Sequence, residues 1–331
     1  MPGLEEIDRV IERIQAMESD KKALAALLKG FPNLTWKIKK AELGDMLIGG
    51  EDGGITKKST HLIDFIFLRA VSVLFKYRGG ELENVDYFPS MSPPTEVAHT
   101  SEPLSEPEFR MFWSLRRIKK ELEVSLRAIE KHSPDAFLID GSLMVHPADV
   151  PRKESSLFED YLEISHAQRE LQELCRSKGC ILAGIVEDSR SSLFSGYIER
   201  ELLPLIGDPK AEKLKNMLKK VRDTNLLHYL LEKGEATLEM ECEGEIKCIY
   251  MKTAEFDRPI RVEYMDNREK IAGIVYALSS QSRTYGLPNV LIEADQRAKL
   301  SESDSLYYMN HISSRLGLQD LFFLRRENRP F

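Results

Sequence analysis

Long apolar runs are absent. No stretch of the 331 residues approaches the ~20 needed to span a bilayer, and the opening Met1-Pro-Gly-Leu-Glu-Glu6 lacks the basic start and apolar segment of a secretory signal. A cytosolic (cytoplasmic) protein is the expectation. Cysteine is scarce. Cys175, Cys180, Cys242 and Cys248 fit neither the C-x2-C spacing of a zinc knuckle nor a small disulfide scaffold, so reduced thiols are expected. A basic excess is also missing: 54 acidic against 47 basic residues give a net charge of −7, the opposite of a free-standing nucleic-acid binder. G-x-x-x-x-G-K-[ST] and G-x-S-x-G do not occur, and none of the seven histidines forms H-E-x-x-H. A self-powered P-loop motor, a serine hydrolase and a zincin are thereby excluded.

What is present is an ordinary globular composition, 42% hydrophobic and 31% charged, with length for one large domain or two smaller ones. Local basic clusters occur at Lys37, Lys39 and Lys40, at Arg116, Arg117, Lys119 and Lys120, and from Lys213 to Arg222. They read as solvated helix faces or as phosphate contacts. Residues 4–28 read as a helix, with Ile7, Val10, Ile11, Ile14 and Met17 recurring at steps of three and four. Residues 48–54 read as a glycine-rich turn, 62–75 as one or two strands, and 90–107, with four prolines, as a long loop. A helix over 109–131 leads into a short buried strand at 136–139. A further helix (157–177) and strand (180–186) follow, then a helix over 210–233, a meander over 236–264 and closing helices over 268–280 and 287–300. Alternating strands and helices indicate an α/β sheet.

Two Asp-Gly pairs carry the chemistry. Asp52-Gly53 lies in the glycine-rich stretch, and Asp140-Gly141 directly follows an apolar strand, the position where open α/β sheets place ligands. Asp-Gly is also a common turn dipeptide. The helix before Asp140 adds a third acid. Advancing about 100° per residue from Leu122, Glu121 shares a shoulder with Ser114, Ser125 and Ala128, whereas Glu123 lies among Arg116, Lys119 and Arg127. Small neighbours leave room to reach inward, so Glu121 is the better candidate and Glu123 the alternative. Hard divalent ions take oxygen ligands, and two-metal phosphodiesterases hold theirs with converging carboxylates.

This pattern resembles the NurA nuclease family. The resemblance rests on the early Asp52-Gly53 before a long apolar strand pair, and on a helix Glu leading into Leu138-Ile-Asp-Gly-Ser-Leu143. Cys180-Ile-Leu-Ala-Gly-Ile-Val-Glu-Asp-Ser-Arg190 is similar to the family's strand ending in a Lys-x-Ser-Arg-like turn. Asp223 to Glu235, Ile246 to Lys252 with Ile260 to Glu263, and Pro288 to Asp295 match its later motifs, so the similarity spans residues 45–315. The resemblance implies a ribonuclease-H-like mixed sheet flanked by helices, with residues 1–44 as an N-terminal helical segment and 45–331 as the nuclease domain. It also implies an archaeal homodimer that hydrolyses DNA with Mn2+ or Mg2+, endonucleolytically on single strands and exonucleolytically from 5′ to 3′. The setting would be DNA end resection in homologous-recombination repair, with a HerA-type hexameric ATPase as partner. Asp52, Glu121 (or Glu123) and Asp140 match the family's metal-binding acids.

Departures are specific. The family's late Tyr aligns with Leu287 and its His with Asp295; its Lys aligns with Glu187, and the Ser after the first Asp-Gly is Gly54. Asp295 still offers oxygen to a hard cation, so it joins the expected metal ligands and activity is expected to survive. On a surface reading Asp295 would instead pair with Arg297 or Lys299. The competing functions are a catalytically weak subunit that docks on the motor and guides DNA, and a small-molecule phosphoesterase on the same fold.

Overall fold

The computed structural model describes residues 2–60, 63–100, 104–145, 149–205, 208–219 and 221–317. In chain order it contains α1 (Pro2–Leu28), β1 (Thr35–Lys37), β2 (Leu47–Ser59), β3 (Asp64–Arg78), β4 (Glu81–Phe88), β5 (Glu96–His99), α2 (Glu106–His132) and β6 (Ala136–Asp140). Next come α3 (Phe158–Lys178), β7 (Ile181–Val186), α4 (Leu193–Tyr197), a π turn (Ile198–Leu202) and a 3-10 turn (Leu203–Leu205). The chain continues with α5 (Asp208–Leu218), α6 (Asp223–Leu230), β8 (Glu235–Thr237), β9 (Met240–Glu243), β10 (Ile246–Lys252), β11 (Ile260–Tyr264), α7 (Arg268–Ser279), α8 (Asn289–Ala298) and α9 (Glu302–Leu316). Among the described residues no helix is long and apolar enough to cross a membrane, and all four cysteines are unpaired thiols.

These elements form two compact units, one of residues 43–182 with the described residues from 289 on, the other of residues up to 42 with 183–288. In the first, the strand order is β6-β2-β3-β4. β2, β3 and β4 run antiparallel in succession, while β6 joins the free side of β2 in parallel. This is the mixed, ribonuclease-H-like arrangement expected from the sequence. β3 is apolar on both faces and almost wholly buried, as a strand covered on two sides must be. α2 lays Leu115, Leu122, Ala128 and Ile129 into the core.

In the second unit β1-β8-β10-β11-β7 form an antiparallel sheet, with β9 on the edge of β10. Its core gathers Leu24 and Leu28 of α1, Phe194, Leu226 and Leu227, and Tyr250 of β10. The apolar stripe of α1 from Ile7 to Met17 is not part of that core: Ile7, Val10, Ile11, Ile14 and Met17 are 42–54% exposed.

Several sequence expectations change. Residues 48–54 are not a turn but lie inside the 13-residue β2. The expected loop over 90–107 contains β5, which pairs with Phe65–Leu68 because the 15-residue β3 runs well beyond the stretch covered by β4; residues 101–103 lie outside the described residues. The helix over 210–233 is two helices. Arg222 turns extended and opens α6 at Asp223, whose side chain is required elsewhere. α9 is additional; its Met309 packs on Phe65 and Phe67.

Candidate active site

In a strand, successive side chains face opposite sides, so β2 puts Gly50, Asp52 and Gly54 on one face and Glu51 and Gly53 on the other. The neighbours fit this alternation. A Cβ on Gly50 would meet Val290 of α8 at 2.8 Å, and one on Gly54 would stand 1.9 Å from the Ala298 carbonyl. A Cβ on Gly53 would come 2.3 Å from Glu121 Oε1 of α2. Close packing, not a turn, explains these glycines: two helices approach the strand where no side chain fits. Asp52 therefore emerges on the α8 face and Glu51 on the α2 face.

β6 is parallel to β2 with Ile139 opposite Glu51, so Asp140 follows one step on, beside Asp52. The Asp140 side chain is near enough to act on the Asp52 carboxyl, and the Gly53 N–H donates to Asp52 Oδ1 at 2.7 Å. Gly141, at φ +121°, turns the chain away after Asp140. On α2, Glu121 is buried and accepts from Arg117, one turn earlier, at 2.6 Å. Glu123 points to solvent, 3.2 Å from Lys120 and 3.5 Å from Arg127. The phase of α2 is the expected one, with Ser114, Ser125 and Ala128 buried on the Glu121 side.

Electrostatically the cluster is out of balance. Burial, then the neighbouring Glu121 and Asp52 charges, push the Glu51 carboxyl far above its ordinary range. Burial likewise raises Asp52, with Asp295 adding to the effect and the Gly53 N–H opposing it. Burial lifts Glu121 to about 7 against the pull of Arg117. The Arg117 guanidinium is raised in turn, chiefly by Glu121, with Asp52, Glu51 and Asp140 contributing. Four carboxyl groups thus share one cation. Both Glu51 oxygens are buried without a hydrogen-bond partner, a costly state for a polar group. An all-oxygen donor set with surplus negative charge fits a hard divalent ion. Among the described residues, no three His, Cys, Asp or Glu side chains already stand closed as a ligand set.

Asp295, on α8, is exposed but close enough to Asp52 for its charge to count. The alternative partner Arg297 is taken by Glu293 at 2.7 Å, which also accepts from Tyr87 at 2.8 Å. Leu287 is buried, and Glu187 accepts from the Tyr285 hydroxyl at 2.8 Å. The basic run on α2 is consumed in ion pairs: Arg116 with Asp160, Lys119 with Glu163, Lys120 with Glu96.

A family profile described as the NurA domain matches residues 46–300. The chain belongs to the NurA nuclease family. No curated protein is significantly similar to it in sequence. Its structure is similar to the crystal structure of the NurA nuclease from Sulfolobus solfataricus, at 17% identity and a TM-score of 0.63, over 96% of this chain and 97% of that one. A second NurA crystal structure matches at 13% identity and TM-score 0.53, over 97% and 99% of the two chains. One of NurA with manganese matches at 14% and 0.53, over 93% and 98%. At these identities the likeness is one of fold.

Two residues of this cluster were not singled out from sequence as part of the site. Glu51 was hidden by the turn reading, which gives the residue before Asp52 no defined face. Arg117 was counted with a solvated basic run, although its spacing of four from Glu121 is that of a helical ion pair.

Proposed function

We propose that this NurA-family protein is a Mn2+- or Mg2+-dependent DNA nuclease, a two-metal phosphodiester hydrolase, with Asp52, Glu121, Asp140 and Asp295 as metal ligands. One observation carries the reading: four carboxylates, three of them buried, surround the single cation Arg117, at the end of a parallel strand pair. Bound divalent ions would supply that charge, polarise the phosphate and activate water. In this reading Arg117 holds Glu121 in place, Gly53 leaves the space its carboxylate occupies, and Asp140 presents its oxygens where β6 stops. The manganese in the similar NurA crystal structure supports the choice of ion. Lys57, exposed and 3.7 Å above the Trp113 ring, offers a cation and an aromatic surface to a strand's phosphates and bases.

Family membership supports extending the reading to 5′-to-3′ and single-strand cleavage in end resection, in an archaeal cytosol, with DNA fed by a HerA-type ATPase. The exposed stripe on α1 supports a homodimer. The family match beginning at residue 46 supports a nuclease domain over 45–331 after a helical segment over 1–44. The test is labelled single-stranded and 5′-recessed duplex DNA with the full chain, in Mn2+ and in EDTA. Cleavage that needs the metal is the expected result. Binding to a HerA-type motor with no cleavage in any divalent ion would replace this reading with the catalytically weak subunit.

A further inference from the structure

In the unit that contains β10, two loops are clasped together: residues 253–259 between β10 and β11, and residues 280–288 between α7 and α8. The Phe256 N–H donates to the Arg283 carbonyl at 2.8 Å, the Gly286 N–H to Asp257 Oδ2 at 2.7 Å, and the Thr253 hydroxyl to the Gly286 carbonyl at 2.5 Å. Arg283 bonds Glu255 through Nε and Nη2, at 2.9 and 2.8 Å. A Cβ on Gly286 would lie 2.2 Å from Thr253 Oγ1, so the loops meet where no side chain fits. What this clasp holds up is a ring. Phe256 is 61% exposed, and no other described phenylalanine is exposed. The Arg283 guanidinium lies 5.0 Å from the ring centre and leaves the rest of the ring bare.

Phe256 also lines an open groove of about 410 Å³, within the roughly 300–1,000 Å³ of small-ligand sites. Two of the three acids in the groove are spent. Glu18 accepts from Lys21 and from the Tyr229 hydroxyl, and the Asp257 oxygens accept from the Arg258 and Gly286 N–H groups. Asp188 stands 3.9 Å from the Arg258 guanidinium with both side chains in solvent, a pair too long and too wet to hold the arginine. The Asn225 side-chain amide makes no hydrogen bond among the described residues. His228 turns Nδ1 to the Asp257 carbonyl at 3.2 Å, so Nδ1 carries the proton and Nε2 is left as an acceptor.

A bare aromatic face, a loosely held arginine and unspent edge groups are the parts by which proteins hold a single strand: bases stack on rings and cations track phosphates. Bases in a duplex are already stacked on one another and offer no face. A ring fixed beforehand by its clasp also lowers the cost of ordering on binding. We infer that Phe256 is a stacking platform for an unpaired base of single-stranded DNA, with Arg258 on the adjoining phosphate and Asn225 and His228 at the base edge. This site goes beyond the nuclease reading and needs neither metal nor cleavage.

The test is therefore made in EDTA with the full chain, by fluorescence anisotropy of a labelled oligodeoxythymidine strand and of a labelled blunt duplex. Phe256→Ala should weaken strand binding about tenfold and duplex binding less than about twofold. Its unfolding midpoint should not move, since the ring removed is exposed. Phe256→Trp should keep the affinity, and the strand should quench the added indole. Arg258→Gln should weaken strand binding several-fold and lower the slope of log affinity against log salt by about 0.7, a slope that Phe256→Ala leaves unchanged. No strand binding by the wild type, wild-type strand affinity in Phe256→Ala, an equal loss on strand and duplex, or an unquenched indole in Phe256→Trp overturns the platform. Strand binding that depends on Phe256 without metal-dependent cleavage keeps the platform and sinks the nuclease reading. Metal-dependent cleavage with full strand affinity in Phe256→Ala does the reverse.

Discussion

Two buried carboxylate sites divide the molecule, and they are built on opposite principles. In the unit containing β10, Asp223 is wholly buried with no lysine or arginine among its hydrogen-bond donors, yet its oxygens are fully used. They accept from the Phe194 and Ser195 N–H groups at 2.9 Å each, from the Ser195 hydroxyl at 2.7 Å and from the Tyr250 hydroxyl at 3.0 Å. Four donors pin the start of α4, the start of α6 and β10 to one side chain. In the other unit, Glu51, Asp52, Glu121 and Asp140 crowd one guanidinium, and Glu51 has no donor at all. A carboxylate surrounded by donors is a structural tie, stable as it stands. Carboxyl groups that face one another raise each other's pKa and await something positive. The difference is legible in donors and countercharge more than in burial, for Glu51 is as fully buried as Asp223.

The sharpest way to break the comparison is to neutralise one acid at each site. Asp140→Asn should lower metal-dependent cleavage by about 1000-fold with an unchanged unfolding midpoint. Asp223→Asn turns an amide donor toward N–H and O–H donors. It should cost on the order of 3 kcal/mol of stability while leaving cleavage per folded molecule unaltered. Paired denaturant melts and cleavage assays decide the matter. A nuclease-dead Asp223→Asn that melts like wild type, or an Asp140→Asn that only unfolds more easily, would reverse the two assignments.

A smaller effect follows from Glu121, raised to about 7 by burial. An acid whose folded pKa exceeds its unfolded value near 4.5 binds its proton more tightly in the native state. Its contribution is present below about pH 4.5 and is lost as the pH rises through 7. In EDTA the protein should therefore melt several degrees lower at pH 8 than at pH 5.5. Mn2+ should remove most of that difference, because a cation replaces the proton, and Glu121→Gln should flatten the profile. An EDTA profile that rises with pH over this window would mean Glu121 is ionised comfortably by Arg117 alone.

Much of this was readable from residue order, for reasons that also show where reading stops. Asp140 stood out because a polar residue ending the apolar run Ala136 to Ile139 must lie at a strand end. Glu121 was separable from Glu123 because a helix has one phase, and small residues on one shoulder mark the side that packs. β2 was missed because glycine is depleted in strands and four of them fall between Gly49 and Gly54. Only close packing explains them: helices from residues 106–132 and 289–298 press on Gly50, Gly53 and Gly54, and the Phe137 ring of β6 presses on Gly49, all remote in sequence. α9 had a local signal, the Ser301 and Asp304 capping box, but its burial against Phe65 and Phe67 did not.

The smallest effect separates the two ways Asp295 can matter. Its side chain is exposed, and its negative charge raises the Asp52 pKa. If that influence is only a field felt through solvent, it is screened: the Debye length falls from about 10 Å at 0.1 M salt to about 3 Å at 1 M. If Asp295 donates an oxygen to the ion, salt matters much less, because a ligand contact is short and displaces solvent. The expectation from the metal-ligand reading is that Asp295→Ala raises the Mn2+ concentration for half-maximal cleavage several-fold, and that the increase persists in 0.5 M salt. Asp295→His, which restores the family's residue, should keep the wild-type Mn2+ requirement near neutral pH and raise it below about pH 6, as the imidazole takes up a proton and no longer binds the ion. An Asp295→Ala defect that disappears in high salt would leave Asp295 a neighbour of the site and not a member. Wild-type behaviour of both variants across salt, pH and Mn2+ would remove it from the site altogether.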